Sequence, residues 1–88
     1  MSSQLFSPFR IRGDQLPNRV VCSPMCQYSA LDGIASDWHL LHLGSIAISG
    51  VGLLIIEATG VEDIGRITPG CPGLYNDEQE KAFTKIIN

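Results

Sequence analysis

The chain has 88 residues, 44% of them apolar and 17% charged, which suits one small globular domain and excludes a disordered segment. Its formal net charge of −3 gives no pull toward nucleic acid or an anionic membrane, and no apolar run is long enough to predict a membrane span. The opening residues 1–6 lack the basic and apolar regions of a secretory signal, and Cys22, Cys26 and Cys71 are too few for a disulfide framework, so reduced thiols in a cytoplasm are the expectation.

Residues 5–19 are rich in turn signals, with Ser7-Pro8, Gly13-Asp14 and Pro17-Asn18. Phe9-Arg10-Ile11-Arg12 is a candidate arm of a short hairpin. Arg19-Val20-Val21-Cys22-Ser23 is short, β-branched and apolar, the composition of a buried strand. Pro24 ends it, because proline brings no N–H to a ladder. Residues 26–36 read as a loop with Asp32-Gly33 as its turn. Ser36 or Asp37 stands as the N-cap of a helix over residues 38–49. Its polar positions His39, His42, Ser45 and Ser49 fall along one stripe at about 100° per residue, and Leu40, Leu41, Leu43, Ile46, Ala47 and Ile48 make the rest apolar. A narrow polar stripe predicts heavy burial. Gly50 stands where a helix-ending glycine belongs.

Val51-Gly52-Leu53-Leu54-Ile55-Ile56 follows at once. It is continuous rather than alternating, the pattern of a parallel strand covered on both faces. It runs out at Glu57-Ala58-Thr59-Gly60. A Gly- and Pro-rich loop then passes Arg66 and Pro72. Asn76-Asp77 opens a second helix, with acidic residues in its first turn, Lys81 and Lys85 later, and Ala82, Phe83, Ile86 and Ile87 as its apolar stripe.

Strand, helix, strand, helix is the unit of a parallel sheet with right-handed crossovers. The expected fold class is α/β: residues 19–88 as the first two strand–helix units of a parallel (β/α)8 TIM barrel, incomplete in this chain, after a turn and hairpin region at residues 1–18. A whole barrel needs about 250 residues. The apolar strand at 51–56 and the apolar helix before it call for neighbours, so the rest of the barrel, in the same or another chain, is an expected partner.

In such a barrel the working groups sit at the C-terminal ends of strands. The first end is Ser23-Pro24-Met25-Cys26-Gln27-Tyr28. Pro24 turns the chain out of the strand, small Ser23 permits close backbone approach, and Cys26 and Tyr28 offer a weak thiol donor and a phenolic donor. The alternative for Cys22, Met25 and Cys26 is core filling, because free cysteine is usually buried and inert. At the second end, Glu57 is either a catalytic carboxylate or a buried acid paired with a loop donor, and structure is favoured. His39 and His42 read as part of the polar stripe rather than as metal ligands, since no H-E-x-x-H or second cysteine pair accompanies them. Arg66 is a salt-bridge, interface or solvated residue.

The run Asn18-Arg19-Val20-Val21-Cys22-Ser23-Pro24-Met25-Cys26-Gln27-Tyr28-Ser29 resembles the first barrel strand of the old yellow enzyme family. Cys26 with Tyr28 is similar to the cysteine-containing bacterial class that includes xenobiotic reductases. The likeness continues through Trp38-His39-Leu40-Leu41-His42-Leu43, Val51 to Thr59, Gly65-Arg66-Ile67-Thr68 and Gly73-Leu74-Tyr75-Asn76-Asp77-Glu78-Gln79. The resemblance implies FMN held without a covalent bond, NADPH or NADH as reductant, and hydride transfer to an activated alkene such as an enone. It implies that Ser23, Pro24, Met25, Cys26 and Ala58 line the flavin, that Cys26 tunes it from the N5–O4 edge, and that Tyr28 faces the substrate. The family's substrate-binding His pair, its flavin-contacting Gln and Arg, and its phosphate site lie on later strands, so His39 and His42 are not that pair. A homo-oligomer is compatible with the full-length protein. The 88 residues alone are expected to be inactive, and the alternative to a flavoenzyme is a non-catalytic fragment or interaction domain.

Overall fold

The computed structural model describes residues 3–87. Residues 1 and 2 of the expected 1–18 region, and residue 88 of the expected 19–88 region, lie outside them. Strand β1 (Phe9–Ile11) pairs antiparallel with β2 (Asp14–Leu16), Phe9 facing Leu16 and Ile11 facing Asp14. Arg12-Gly13 makes the connection, with Arg12 at φ 52°. The expected hairpin is therefore present, but its turn sits one residue before Gly13-Asp14. The Arg19 guanidinium lies 5.0 Å from the centre of the Phe9 ring, a cation–π contact worth about 0.5–1 kcal/mol at an exposed site.

Strands β3 (Val21–Cys22) and β4 (Leu53–Leu54) pair parallel, Val21 beside Leu53 and Cys22 beside Leu54. The Gly52 N–H donates to the Val20 carbonyl at 2.9 Å and the Ile55 N–H to the Cys22 carbonyl at 3.1 Å, which extends the ladder at both ends. Both strands are shorter than the expected 19–23 and 51–56. Each has a partner on one side only, so backbone beyond the shared ladder has nothing to pair with. Asn18 sets the register: its Oδ1 accepts the Val20 N–H at 3.0 Å and its Nδ2 donates to the Gly50 carbonyl at 2.7 Å. Gly52 is required opposite it, because a side chain there would run into the Asn18 carbonyl.

Helix α1 (Asp37–Ile48) has Ser36 as N-cap and Ser49 as C-cap, and Gly50 follows at φ 96°. The expected boundaries hold to one residue. The expected faces do not. His39, placed in the polar stripe, is fully buried, while Leu41 is 62% and Ile48 88% exposed. The inward side of α1 carries Leu43 together with His39, and His39 is accommodated there because its Nδ1 accepts the Ser36 N–H and its Nε2 lies against the Glu57 carboxylate. Val21 is likewise 49% exposed, so burial on both faces of the parallel pair is not met within this chain. Leu43, Gly44, Ala47, Leu54, Ile56 and Ile86 line an open apolar hollow between the helices and the sheet.

The Asp32-Gly33 turn is as expected. Leu31 and Ile34 exchange backbone hydrogen bonds at 3.2 and 2.9 Å, with Asp32 at φ 54° and Gly33 at φ 72°. Two consecutive positive φ angles are the mark of a type I′ turn. After β4, a single 3₁₀ turn at Asp63–Gly65, not anticipated from the sequence, is tied by an ion pair between Arg66 and Asp63. Helix α2 (Asp77–Ile87) begins where expected. The Asn76 Oδ1 accepts the Gln79 N–H at 2.9 Å, a cap worth about 1 kcal/mol. Phe83 is its buried anchor, worth about 1.5–3 kcal/mol. Gln79 is also wholly buried: its Oε1 accepts the Tyr75 N–H at 2.8 Å and its Nε2 donates to the Asp32 carbonyl at 3.4 Å, joining α2 to the turn before α1.

Candidate functional site

The parallel register of β3 and β4 brings their C-terminal ends side by side. Ser23, Pro24 and Met25 leave β3 exposed, Cys26 and Gln27 are half-buried, and Ala58 is exposed past the end of β4. Tyr28 is 64% exposed and its φ of 54° is left-handed. For a residue with a Cβ, that conformation costs about 1–2 kcal/mol. It persists because the chain around it is fixed. The Ala30 N–H donates to the Gly70 carbonyl at 3.0 Å, and Gly70 rests against the Tyr28 main chain.

Gln27 is held at both ends. Its backbone N–H donates to Glu57 Oε2 at 3.2 Å, its side-chain Oε1 accepts the Trp38 indole N–H at 2.9 Å, and its Nε2 donates to the Met25 carbonyl at 2.9 Å. Glu57 is 5% exposed. Its other oxygen, Oε1, lies 3.2 Å from His39 Nε2. The ring N–H approaches that oxygen obliquely rather than along a hydrogen-bond axis, so the attraction is mainly electrostatic. His39 Nδ1 accepts the Ser36 N–H at 2.9 Å, which assigns the ring proton to Nε2, facing Glu57. Of the two readings open for Glu57, the structure shows the buried acid with a loop donor.

Among the described residues, no group of three His, Cys, Asp or Glu side chains converges to hold a metal. His42 stacks on Trp38 instead, with ring centres 6.3 Å apart. Cys22 lies half-buried within β3. Cys71, which the sequence did not single out, is buried, with its Sγ 3.3 Å from Thr68 Oγ1 and 3.4 Å from the Thr68 backbone N. The Thr68 hydroxyl lowers the Cys71 thiol from its ordinary range, against the opposing effect of burial.

The sequence placed Ser23, Pro24, Met25, Cys26, Tyr28 and Ala58 at this end of the sheet, and the structure brings them to the ends of two adjacent strands. It gave Gln27 no role and missed the partnership of His39 with Glu57. The available signal was the position of His39 three residues after the Ser36 cap, the slot from which a side chain reaches back to the cap N–H.

Residues 4–88 match the family model described as NADH:flavin oxidoreductase / NADH oxidase. The chain belongs to that family. An NADH:flavin oxidoreductase of Gibberella zeae is 51% identical over 97% of this chain and 21% of its own length. An NADPH dehydrogenase of Listeria monocytogenes is 48% identical over 98% of this chain and 26% of its own. The chain thus spans about a quarter of the length of the curated relatives it matches. Among solved structures, morphinone reductase in complex with tetrahydroNAD superposes with a TM-score of 0.88 and 28% identity, covering 98% of this chain and 23% of that one. The old yellow enzyme homologue from Zymomonas mobilis superposes with a TM-score of 0.85 and 28% identity, over 96% and 23%. The fold class is accordingly α/β, and the units described above are strand–helix units of the old yellow enzyme TIM barrel.

Proposed function

We propose that this chain supplies one edge of the cofactor cradle in an FMN-dependent NAD(P)H oxidoreductase that reduces activated C=C bonds, enones among them. The observation that carries the reading is the solvent-open cluster at the ends of β3 and β4, where Ser23, Pro24, Met25 and Ala58 are exposed around the half-buried Cys26. The exposed Pro24 and Met25 side chains present apolar surface that the edge of a flat heterocycle would cover, and Ser23 and Ala58 are small enough to let it approach. These residues fit the isoalloxazine of FMN. When bound, FMN supplies the two-electron chemistry, accepting hydride from NADH or NADPH and delivering it to an electrophilic alkene carbon. The names of the relatives, an NADH:flavin oxidoreductase and an NADPH dehydrogenase, support both cofactors.

This chain's own residues would bind and orient. Cys26 offers a polarisable thiol to the flavin edge and tunes it. Tyr28, exposed and held by a fixed backbone, offers a phenolic O–H to the substrate without adding charge. The substrate is a small-molecule alkene, the remainder of the barrel is the protein partner, and the three free cysteines suit a reducing cytoplasm. Among the described residues no helix is long and apolar enough to cross a membrane.

The test is anaerobic spectroscopy of the purified full-length protein. Its flavin absorbance is expected to bleach on adding NADPH or NADH and to return on adding a cyclic enone. Bleaching without return would leave an oxidoreductase that does not reduce alkenes. Protein that binds no flavin would overturn the reading altogether.

A further inference from the structure

We propose that Glu57, held in place by His39, is a positioning residue for the Cys26–Tyr28 turn. The inference rests on the reading that this turn borders flavin and substrate, and it adds the device that fixes the turn. Three observations carry it. Glu57 sits past the end of β4, 5% exposed, and accepts the backbone N–H that lies between Cys26 and Tyr28 in sequence. His39, with no exposed surface, has Nδ1 committed to Ser36, which leaves its ring proton on Nε2, 3.2 Å from Glu57 Oε1 in an oblique electrostatic contact. Tyr28 holds a left-handed φ of 54°, which needs neighbours that over-determine it.

A carboxylate suits this place because both its oxygens accept. One takes the Gln27 N–H and the other faces the His39 proton. A carboxamide has a single oxygen, so Glu57→Gln would set its NH2 against either the Gln27 N–H or the His39 Nε2–H, donor against donor. His39 cannot resolve the conflict by moving its proton to Nδ1 without losing the Ser36 N–H. A buried donor left without an acceptor carries the full cost of its desolvation. His39 is wholly enclosed and Gln27 only half-buried, so Glu57→Gln releases the Gln27 amide and shifts Cys26 and Tyr28 together. His39→Gln keeps both roles: its oxygen can accept the Ser36 N–H, as glutamine does at this position of a capping box, and its NH2 can face Glu57. His39→Leu keeps neither.

The experiment uses the flavin-loaded full-length protein and two readouts besides activity. The first is the alkylation rate of Cys26 by iodoacetamide, resolved by peptide mass mapping with Cys22 and Cys71 as internal references. The second is the flavin reduction potential. Glu57→Gln and His39→Leu are expected to change Cys26 alkylation several-fold with Cys22 and Cys71 unchanged, and to shift the potential, while His39→Gln stays close to the parent in both. A changed Cys26 rate with an unchanged potential supports the positioning role and counts against the flavin reading instead. The proposal is overturned if Cys26 does not respond, if all three cysteines open together as in a general loosening, or if His39→Gln behaves like His39→Leu.

Discussion

Gly70 backs directly onto the main chain of Tyr28: a methyl group on Gly70 would stand 2.9 Å from the Cα, carbonyl carbon and oxygen of Tyr28. The loop after β4 thereby clamps the turn after β3. The clamp explains how a bulky residue holds a left-handed φ at the mouth of the site. Gly70→Ala is expected to destabilise the full-length protein by about 1–3 kcal/mol, the usual cost of overpacking. It should depress substrate turnover more than flavin content. Urea denaturation and flavin stoichiometry check the two halves of this expectation, and an unchanged midpoint would mean the loop yields without strain.

Cys26 lies half-buried and Cys22 half-buried four residues earlier within β3. Oxidised and reduced flavin differ in charge and hydrogen bonding at the N5–O4 edge, so the Cys26 thiol, which the proposed reading puts at that edge, would interact unequally with the two. One weak hydrogen bond is worth about 1 kcal/mol, and for a two-electron couple ~30 mV corresponds to ~1.4 kcal/mol. Cys26→Ala or Cys26→Ser is therefore expected to move the potential by tens of millivolts, roughly one such step, and to rebalance the two half-reactions without abolishing either. Cys22→Ala should affect stability alone. Spectroelectrochemical titration decides; total loss of turnover with flavin still bound would instead make Cys26 a reacting group.

Tyr28 presents its phenol to solvent on a backbone fixed by Gly70 and, through the adjacent Gln27 amide, by Glu57. Tyr28→Phe removes one hydrogen-bonding group and little volume. Expected are slower alkene reduction, unchanged flavin content and an unchanged rate of flavin reduction by nicotinamide. Stopped-flow measurement of each half-reaction separates these outcomes, and loss of FMN from the variant would show that Tyr28 supports the cofactor rather than the substrate.

Leu41, Ile48, Val21 and Leu53 leave apolar surface open on α1 and on the parallel pair. Exposed apolar patches of this kind drive association, and an unpaired strand edge adds to it. The 88 residues on their own are expected to self-associate and to bind FMN weakly, because phosphate sites in barrels are built by later strand ends. Size-exclusion chromatography with light scattering and a fluorescence titration test this. A monodisperse monomer with sub-micromolar FMN affinity would contradict it.

What the sequence determined by itself was local. The turn at Asp32-Gly33, a helix N-cap at Ser36 or Asp37, the glycine after α1, the start of α2 and the alternation of strand and helix all follow from contacts within a few residues, so they are written in short windows of the chain. The strand-end residues were legible for a related reason: Pro24 marks where β3 must stop, and the next residues must leave the sheet. Tertiary structure alone decided which side of α1 is buried. Helical periodicity placed His39 with His42, Ser45 and Ser49 in one polar stripe, yet of these four only His39 is fully enclosed, because its partner Glu57 is far along the chain and no window contains both. The same holds for Gln27, whose amide meets Glu57 thirty residues later, and for Gln79, which reaches back 47 residues to Asp32. A buried polar group is stable only when its partner arrives, and the fold, not the local pattern, brings that partner.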